Sequence, residues 1–122
     1  MIQELGRLRE ITFRGVGEGS GMARDLDRFD PEYHHLILWS ESEQAILGAY
    51  RLGLGHELYA HGGIKAFYLS GFFKIRPSGH ALFAHTLEMS RAFVVHEAQL
   101  KPMPLYLLWK GIVHVLLRYP GQ

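Results

Sequence analysis

The sequence predicts an α/β domain of the α+β kind, with a mixed, mainly antiparallel sheet and flanking helices. Three observations support this: an amphipathic helical pattern at the start, two apolar strand segments joined by a polar connector, and a long apolar helix at the end. The 122 residues can build one core but are fewer than a complete two-layer enzyme usually needs. We therefore expect a single domain over residues 1–122, truncated at its C-terminal end.

Residues 2–14 place apolar side chains at helical spacing, with charged side chains on the opposite face, which predicts an amphipathic helix. Residues 15–21 contain four glycines and predict a flexible loop. The loop lacks both the Gly-Lys-Ser/Thr ending and the preceding strand of known phosphate-binding loops. The glycines are therefore weak support for phosphate binding.

Residues 35–39 and 45–52 are apolar and flank a polar connector of hairpin length, which predicts an antiparallel hairpin. Residues 53–79 hold six of the fourteen glycines, so we expect a long excursion with one short strand or turn. Strand character returns over residues 88–95. A helix is predicted from Pro104 to Tyr119, where Pro120-Gly121 ends it.

The last predicted helix is apolar on nearly every face and would need covering on both sides. A following strand and helix, a second copy of the chain in a homodimer, or a lipid surface contacted through Trp109 could supply that cover. This gives an alternative to an enzyme, namely a non-catalytic binding or assembly module.

The overall composition excludes several classes of function. Thirteen Lys and Arg against twelve Asp and Glu leave a net charge of +1, so no global field recruits nucleic acid, and we expect no such partner. The absence of cysteine excludes disulfides, a thiolate nucleophile and zinc-thiolate sites, and fits a reducing compartment. Glu4 lies where a signal peptide needs basic residues. We expect a cytoplasmic protein, with the inner face of the membrane as an alternative location.

Charged residues recur beside apolar segments in three places, at residues 24–30, 48–53 and 87–91. Carboxylates and guanidinium groups are costly to bury alone. We therefore expect the three segments to meet in one polar site, and we look for function there.

The ordered segments also carry a family resemblance. They are Arg7, Arg9 and Phe13; Asp27-Arg28-Phe29-Asp30; Gly48-Ala49-Tyr50-Arg51; Leu87-Glu88-Met89-Ser90-Arg91; and Leu107-Leu108-Trp109-Lys110-Gly111-Ile112. Together they resemble acyltransferases of the GNAT superfamily that make amino-acid lipids such as ornithine lipid, often labelled hemolysin-like, and more distantly the homoserine-lactone autoinducer synthases. The resemblance implies a GNAT-like fold and transfer of a fatty acyl group from an acyl carrier protein thioester to the α-amine of an amino acid.

The sequence departs from the family pattern in two places. Residues 95–102 contain none of the glycines with which this superfamily cradles the pyrophosphate of coenzyme A. We therefore expect no tightly bound cofactor and an acyl-pantetheine donor on acyl carrier protein, with acyl-CoA less favoured. The sequence also stops before the strand that should splay from the region of Val94 to admit the pantetheine arm.

Amine acylation needs a neutral amine, a polarised thioester carbonyl and a route for the proton. We expect Glu88 to take the ammonium proton and a backbone N–H near Ala92 or Phe93 to polarise the carbonyl. Arg51 and Arg91 would grip the carboxylate of an amino-acid acceptor, or pair with carboxylates of the protein. The candidate catalytic residues are Glu88 and Arg91, and the candidate substrate-binding residues are Arg51, Asp27, Asp30, Ser90 and Phe93.

The structural interpretation of these groups is a buried ionic network that fixes how loop and sheet meet. For Asp27, Asp30 and Arg51 a structural role and a functional role are equally favoured. For Glu88 and Arg91 a functional role is favoured over a structural one. Ser90 lacks an evident base and orienting acid, so a capping or network role is favoured over a nucleophile.

Other residue types suggest further roles. Eight histidines show no His-Glu-x-x-His pattern, and we expect no metal site. Four aromatic residues in the excursion could line an acyl tunnel, although filling the core is the favoured role. They are Phe67, Tyr68, Phe72 and Phe73. Four exposed cations could contact an acidic carrier protein. They are Lys65, Lys74, Arg76 and Lys101.

Overall fold

The computed structural model describes all residues, 1–122, and has helices and strands in alternating groups. In chain order they are α1 (Ile2–Arg14), β1 (His34–Ser40), β2 (Ala45–Leu54), α2 (Gly55–Gly62), α3 (His80–Phe83), β3 (Leu87–Val94) and α4 (Pro102–Arg118). The α+β class is confirmed. The predicted first helix, hairpin, third strand and last helix are all present, each with ends within two residues of those expected.

The three strands form one sheet in the order β1-β2-β3, and both neighbouring pairs are antiparallel. The sheet is therefore wholly antiparallel rather than mixed. β2 is central because a short polar connector folds it back on β1, while the long excursion returns the chain to the other side as β3. This leaves β3 at an edge of the sheet, with one side of its backbone not paired to a strand.

The core lies on both faces of this sheet. On one face Leu5 of α1 packs with Ala49 and Phe93. On the other face lie the buried side chains of α4, Leu108 among them. Gly48 allows the close approach of α4, since a Cβ atom there would lie 2.7 Å from the Phe93 carbonyl oxygen and 3.1 Å from Leu108.

Of the short strand or turn predicted in residues 53–79, no strand is present and the aromatic segment forms a turn, while the rest of the excursion is more helical than predicted. It begins with α2 and continues through 3₁₀ turns at Gly63–Ala66, Tyr68–Gly71 and Pro77–Gly79. The central strand β2 already has both neighbours, so an aromatic segment there has no interior strand to pair with. Helical turns instead bury Phe67 against Tyr33 and Leu58 in a second core cluster.

The aromatic residues of the excursion differ in their burial. Phe67 is buried and fills the core, as the sequence favoured. Phe72 and Phe73 lie 64% and 63% exposed, so the same prediction is wrong for them. They directly follow the turn Tyr68–Gly71, none of whose own residues is buried.

Only one face of α4 is buried, through Pro104, Leu108 and Ile112. The other face carries exposed apolar side chains. They are Met103, Leu105, Tyr106, Leu107, Trp109, Val113, Leu116 and Leu117. None of the helices combines the length and the apolar character needed to cross a bilayer.

Candidate functional site

The three charged segments meet around the side chain of Arg51. Arg51 lies on β2 directly opposite Ser90 of β3, and its Nε donates to Ser90 Oγ at 3.0 Å. Its Nη1 donates to Asp27 Oδ1 at 2.7 Å and lies 3.4 Å from Asp30 Oδ1. The loop between α1 and β1 is thereby tied to the middle of the sheet.

Two residues that were not predicted to belong to the site, Arg9 and His35, also contact this cluster. Arg9 on α1 is fully buried and donates from Nη1 to Asp30 Oδ1 at 2.7 Å. Its Nη2 lies 3.3 Å from Nδ1 of His35, whose Nε2 lies 2.9 Å from the Asp30 carbonyl oxygen. An imidazole that accepts at Nδ1 carries its proton on Nε2, so both contacts are satisfied by the neutral ring.

The electrostatics of Asp30 favour its ionised form. Burial alone would raise the pKa of this carboxyl, but the backbone N–H of Asp27, at 2.8 Å, and the Arg9 guanidinium hold the pKa below its usual value. For Arg51, burial alone would lower the pKa, because it disfavours the charged guanidinium. The hydrogen bond to Asp27 and the nearby charge of Asp30 outweigh burial and raise this pKa above its usual value. Asp30 and Arg51 are therefore a charged pair in the folded protein.

The lowered pKa of Asp30 predicts a loss of stability in acid. A carboxyl whose pKa is lowered by folding stabilises the protein above its unfolded-state pKa, near 4, and this contribution disappears as the pH falls through the folded-state pKa. We expect Asp30→Asn to be less stable at pH 7 but to lose less stability as the pH falls below about 4. Urea unfolding followed by circular dichroism at several pH values tests this. Equal acid slopes for both proteins would contradict the assignment of Asp30.

Arg51 is also enclosed by aromatic rings. Its guanidinium carbon lies 4.7 Å from the centroid of Tyr68, 5.2 Å from that of Tyr33 and 5.9 Å from that of Phe29. Its Nη2 has no hydrogen-bond partner in the protein, so the ring faces are its principal neighbours. Because the side chain is fully buried, Arg51 cannot reach a ligand unless these rings move.

The backbone of β3 bulges beside this cluster. Two residues of β3, Arg91 and Ala92, lie in the interval that Tyr50 alone fills on β2. Arg91 has φ +50°, in the left-handed region that residues other than glycine rarely adopt. Such bulges re-aim side chains and interrupt regular pairing. Here the bulge lies on the edge strand β3 and includes Ala92. The backbone N–H near Ala92 or Phe93 is the one predicted to polarise the thioester carbonyl.

The side chain of Arg91 is less constrained than that of Arg51. It is 30% exposed, with Nε 3.6 Å from Asp25 Oδ2 and Nη2 3.8 Å from Asp27 Oδ2. Both distances exceed those of good hydrogen bonds. Its guanidinium also lies 5.5 Å from the Tyr68 ring. Arg91 is thus the partly exposed cation of the cluster, and its guanidinium N–H groups form no short hydrogen bond to these carboxylates.

Glu88 lies near the start of β3 and is held by three donors. The Tyr33 hydroxyl and the Tyr68 N–H, at 3.1 Å, donate to its Oε1, and the Leu69 N–H donates to Oε2 at 2.9 Å. Burial raises the pKa of Tyr33 far above its usual value, and the hydrogen bond to Glu88 raises it further, so Tyr33 stays a donor. Oε2 has a single protein donor and keeps room to accept from a ligand or a water molecule.

The two remaining predicted residues have different environments. Ser90 Oγ accepts from Arg51, and no histidine hydrogen-bonds to it, which fits a network role. Phe93 is almost fully buried among apolar side chains, so its ring packs in the core, while its backbone lies just beyond the bulge. No cluster of three His, Asp or Glu side chains in the structure has the geometry to bind a metal ion.

The residues that sequence reasoning missed are Arg9, Tyr33 and His35. The burial of Arg9 could have been predicted, because Arg9 lies four residues after Leu5 and therefore on the same, buried face of α1. Tyr33 and His35 had none, since their roles depend on contacts with Glu88 and Asp30 across the fold.

The segment that leads from β3 into α4 contains two prolines and no glycine. Helix N-termini bind phosphates through their free N–H groups. α4 begins at Pro102 and has a second proline at Pro104, and proline has no N–H to offer. Two of the first three residues of α4 therefore have no N–H group with which to bind a phosphate.

Comparison with known proteins identifies one matching family and two similar proteins. Residues 8–109 match the family described as acetyltransferase (GNAT) domain. A glycine N(alpha)-acyltransferase of Phocaeicola vulgatus is 35% identical over 106 residues, which cover 81% of this chain and 32% of that protein. One of Bacteroides thetaiotaomicron is 35% identical over 104 residues, covering 81% of this chain and 31% of that protein.

The chain thus spans about a third of the length of the curated relatives it matches. No solved structure matches the chain significantly.

Proposed function

The chain belongs to the acetyltransferase (GNAT) domain family, and on this basis we propose that it carries an N-acyltransferase site. The site moves a fatty acyl group from an acyl carrier protein thioester to the α-amine of an amino acid, in the synthesis of an amino-acid lipid of the ornithine-lipid kind. The names of the two relatives support an α-amine acceptor and make glycine the first one to test. The observation that carries the proposal is Glu88 and Arg91 on one bulged edge strand.

The charges of these two side chains suit an amino-acid zwitterion. Glu88 and Arg91 both contact Tyr68, because Glu88 accepts from its N–H and the Arg91 guanidinium lies 5.5 Å from its ring. The acceptor ammonium would contact Glu88 Oε2, and its carboxylate would contact the guanidinium of Arg91. Arg51, Asp27, Asp30 and Ser90 position these groups, because their own hydrogen bonds tie the loop to the sheet.

The chemistry needs no nucleophile from the protein. Glu88 accepts a proton from the acceptor ammonium, directly or through water, and the free amine attacks the thioester carbonyl carbon. The C–N bond forms and the C–S bond breaks. One of the two amine protons goes to the departing sulfur and the other stays on the amide nitrogen, while the proton that Glu88 accepted passes to solvent. A backbone N–H at the bulge near Ala92 or Phe93 stabilises the oxygen that becomes negative during the attack.

The environment of α4 supports carrier protein as the donor. A phosphopantetheine arm on acyl carrier protein has one phosphodiester, whereas coenzyme A presents a diphosphate that needs several N–H donors. Pro102 and Pro104 remove donors from the helix start where that diphosphate would bind. The donor is treated as a substrate, and no tightly bound cofactor is required.

We expect the chain to form N-acylglycine from palmitoyl-acyl carrier protein and glycine, with kcat/KM at least about tenfold lower for palmitoyl-CoA. Mass spectrometry of the product, with both donors at matched concentrations, measures this. An equal or better rate with palmitoyl-CoA would overturn the donor assignment. Absence of product with both donors would refute the enzyme, and a dimer through the exposed face of α4 would then support an assembly module.

A further inference from the structure

Residues 69–76 expose an unusual combination of side chains. Leu69 is 39% exposed, and the adjacent Phe72 and Phe73 are both more than 60% exposed. Burial of an apolar side chain stabilises a fold, so two neighbouring phenyl rings left in solvent forgo that stabilisation. Single exposed apolar residues are ordinary, but a group of them suggests an interaction surface.

The charge around these rings has one sign. The thirty residues between Glu57 and Glu88 contain no Asp or Glu, although the chain has twelve acidic residues. Three cations of this stretch, Lys65, Lys74 and Arg76, are exposed and form no salt bridge. Lys74 directly follows Phe73, and Arg76 lies two residues further on. The exposed surface is therefore aromatic and cationic together.

The segment has a defined shape that presents these groups. The N–H groups of Phe72 and Phe73 both donate to the Leu69 carbonyl oxygen at 3.1 Å, and the Tyr68 ring packs edge-on against Phe72 at 4.9 Å. At the other end, the Nε2 of His80 lies 2.9 Å from the Ile75 carbonyl oxygen. The phenyl rings are thus held outward by a closed turn.

We propose that residues 69–76 are a docking surface for an anionic lipid membrane. Phenyl rings partition into the boundary between headgroups and acyl chains, and the flanking cations attract the negative headgroups. An acidic carrier protein would also attract the cations. Two adjacent exposed rings beside cations match the boundary between anionic headgroups and acyl chains, and for this reason the membrane is the favoured partner.

The surface is connected to the candidate site through the backbone. The N–H groups of Tyr68 and Leu69, which open the turn, donate to the Glu88 carboxylate. If the proposed function holds, a lipid product formed beside Glu88 lies next to the bilayer that receives it. That link rests on the proposed function, whereas membrane binding does not.

Co-sedimentation with vesicles tests the proposal. We expect the chain to bind vesicles of phosphatidylglycerol mixed with phosphatidylcholine, and to bind pure phosphatidylcholine at least about tenfold more weakly. Phe72→Ser/Phe73→Ser and, separately, Lys74→Glu/Arg76→Glu should each reduce binding to the mixed vesicles about tenfold or more. The affected side chains are exposed, so circular dichroism should show an unchanged fold.

The exposed face of α4 provides matched controls. Trp109→Ser/Leu117→Ser removes two exposed apolar side chains there, and Lys101→Glu/Lys110→Glu reverses two exposed charges. Both controls should bind vesicles like the wild type. Loss of binding only in the α4 variants, binding to acyl carrier protein without binding to vesicles, or no vesicle binding at all would each overturn the proposal. Transfer to soluble glycine without vesicles should persist in Phe72→Ser/Phe73→Ser, which separates this test from that of the function.

Discussion

Replacing Glu88 with glutamine should reduce acyl transfer to glycine by about 10²- to 10⁴-fold, because the amide cannot accept the ammonium proton. The glutamine oxygen can still accept from Tyr33 and Tyr68, so most of the turn that Glu88 anchors remains in place. Single-turnover transfer from loaded carrier protein measures the rate of the chemical step, and circular dichroism checks the fold.

Two controls separate proton transfer from structural support. Tyr33→Phe removes a hydrogen bond to Glu88 but keeps the carboxylate, and it should lower the rate far less than Glu88→Gln. Glu97→Gln changes an exposed glutamate that forms no hydrogen bond or salt bridge through its side chain, and it should leave the rate unchanged. If Glu88→Gln retains the wild-type rate, Glu88 only anchors the turn Tyr68–Gly71, and the mechanism fails.

Replacing Arg51 with methionine should destabilise the fold by about 3–5 kcal/mol, which is typical when one partner of a buried ion pair is removed. Asp30 would lose one of its two cations and Asp27 its closest one, at 2.7 Å. Ser90 would lose its donor as well. Urea unfolding at neutral pH measures the free energy of unfolding, and a failure to fold is the extreme form of the same result.

Arg91→Met is the matched control, because the same change is made at a partly exposed arginine with longer ion pairs. We expect a stability loss of at most about 1 kcal/mol there, as for exposed pairs. The acceptor KM should rise at the same time, because Arg91 would no longer contact the acceptor carboxylate. Equal stability losses for the two variants would contradict the assignment of Arg51 to structure and Arg91 to the ligand.

Much of the fold could be predicted because apolar periodicity is strong in its regular elements. The spacing of apolar residues predicted α1, the hairpin, β3 and α4. The excursion could not be predicted, because its turns depend on where Phe67 finds a cavity beside Tyr33 and Leu58. That cavity is created by distant segments. Local pattern alone could not say that Phe67 is buried while Phe72, five residues later, is exposed.

The candidate site was partly predictable for a related physical reason. Charges beside apolar strands had to be paired, and this correctly suggested that Asp27, Asp30 and Arg51 would meet. Pairing rules do not identify the partner, so the buried contact of Arg9 with Asp30 was missed. The hydrogen bonds from the Tyr68 and Leu69 N–H groups to Glu88 could not be predicted either, because a sequence does not show which backbone donors a side chain meets.

Transfer from palmitoyl-acyl carrier protein to glycine, compared with transfer to glycinamide, tests the central proposal most directly. Both acceptors offer a primary amine on an unsubstituted carbon, but glycinamide lacks the carboxylate that Arg91 is proposed to bind. We expect glycine to be acylated and glycinamide to react at least about tenfold more slowly at subsaturating concentration, a difference that Arg91→Met removes. No acylation of glycine, or equal rates for both acceptors with the wild-type chain, would contradict this proposal.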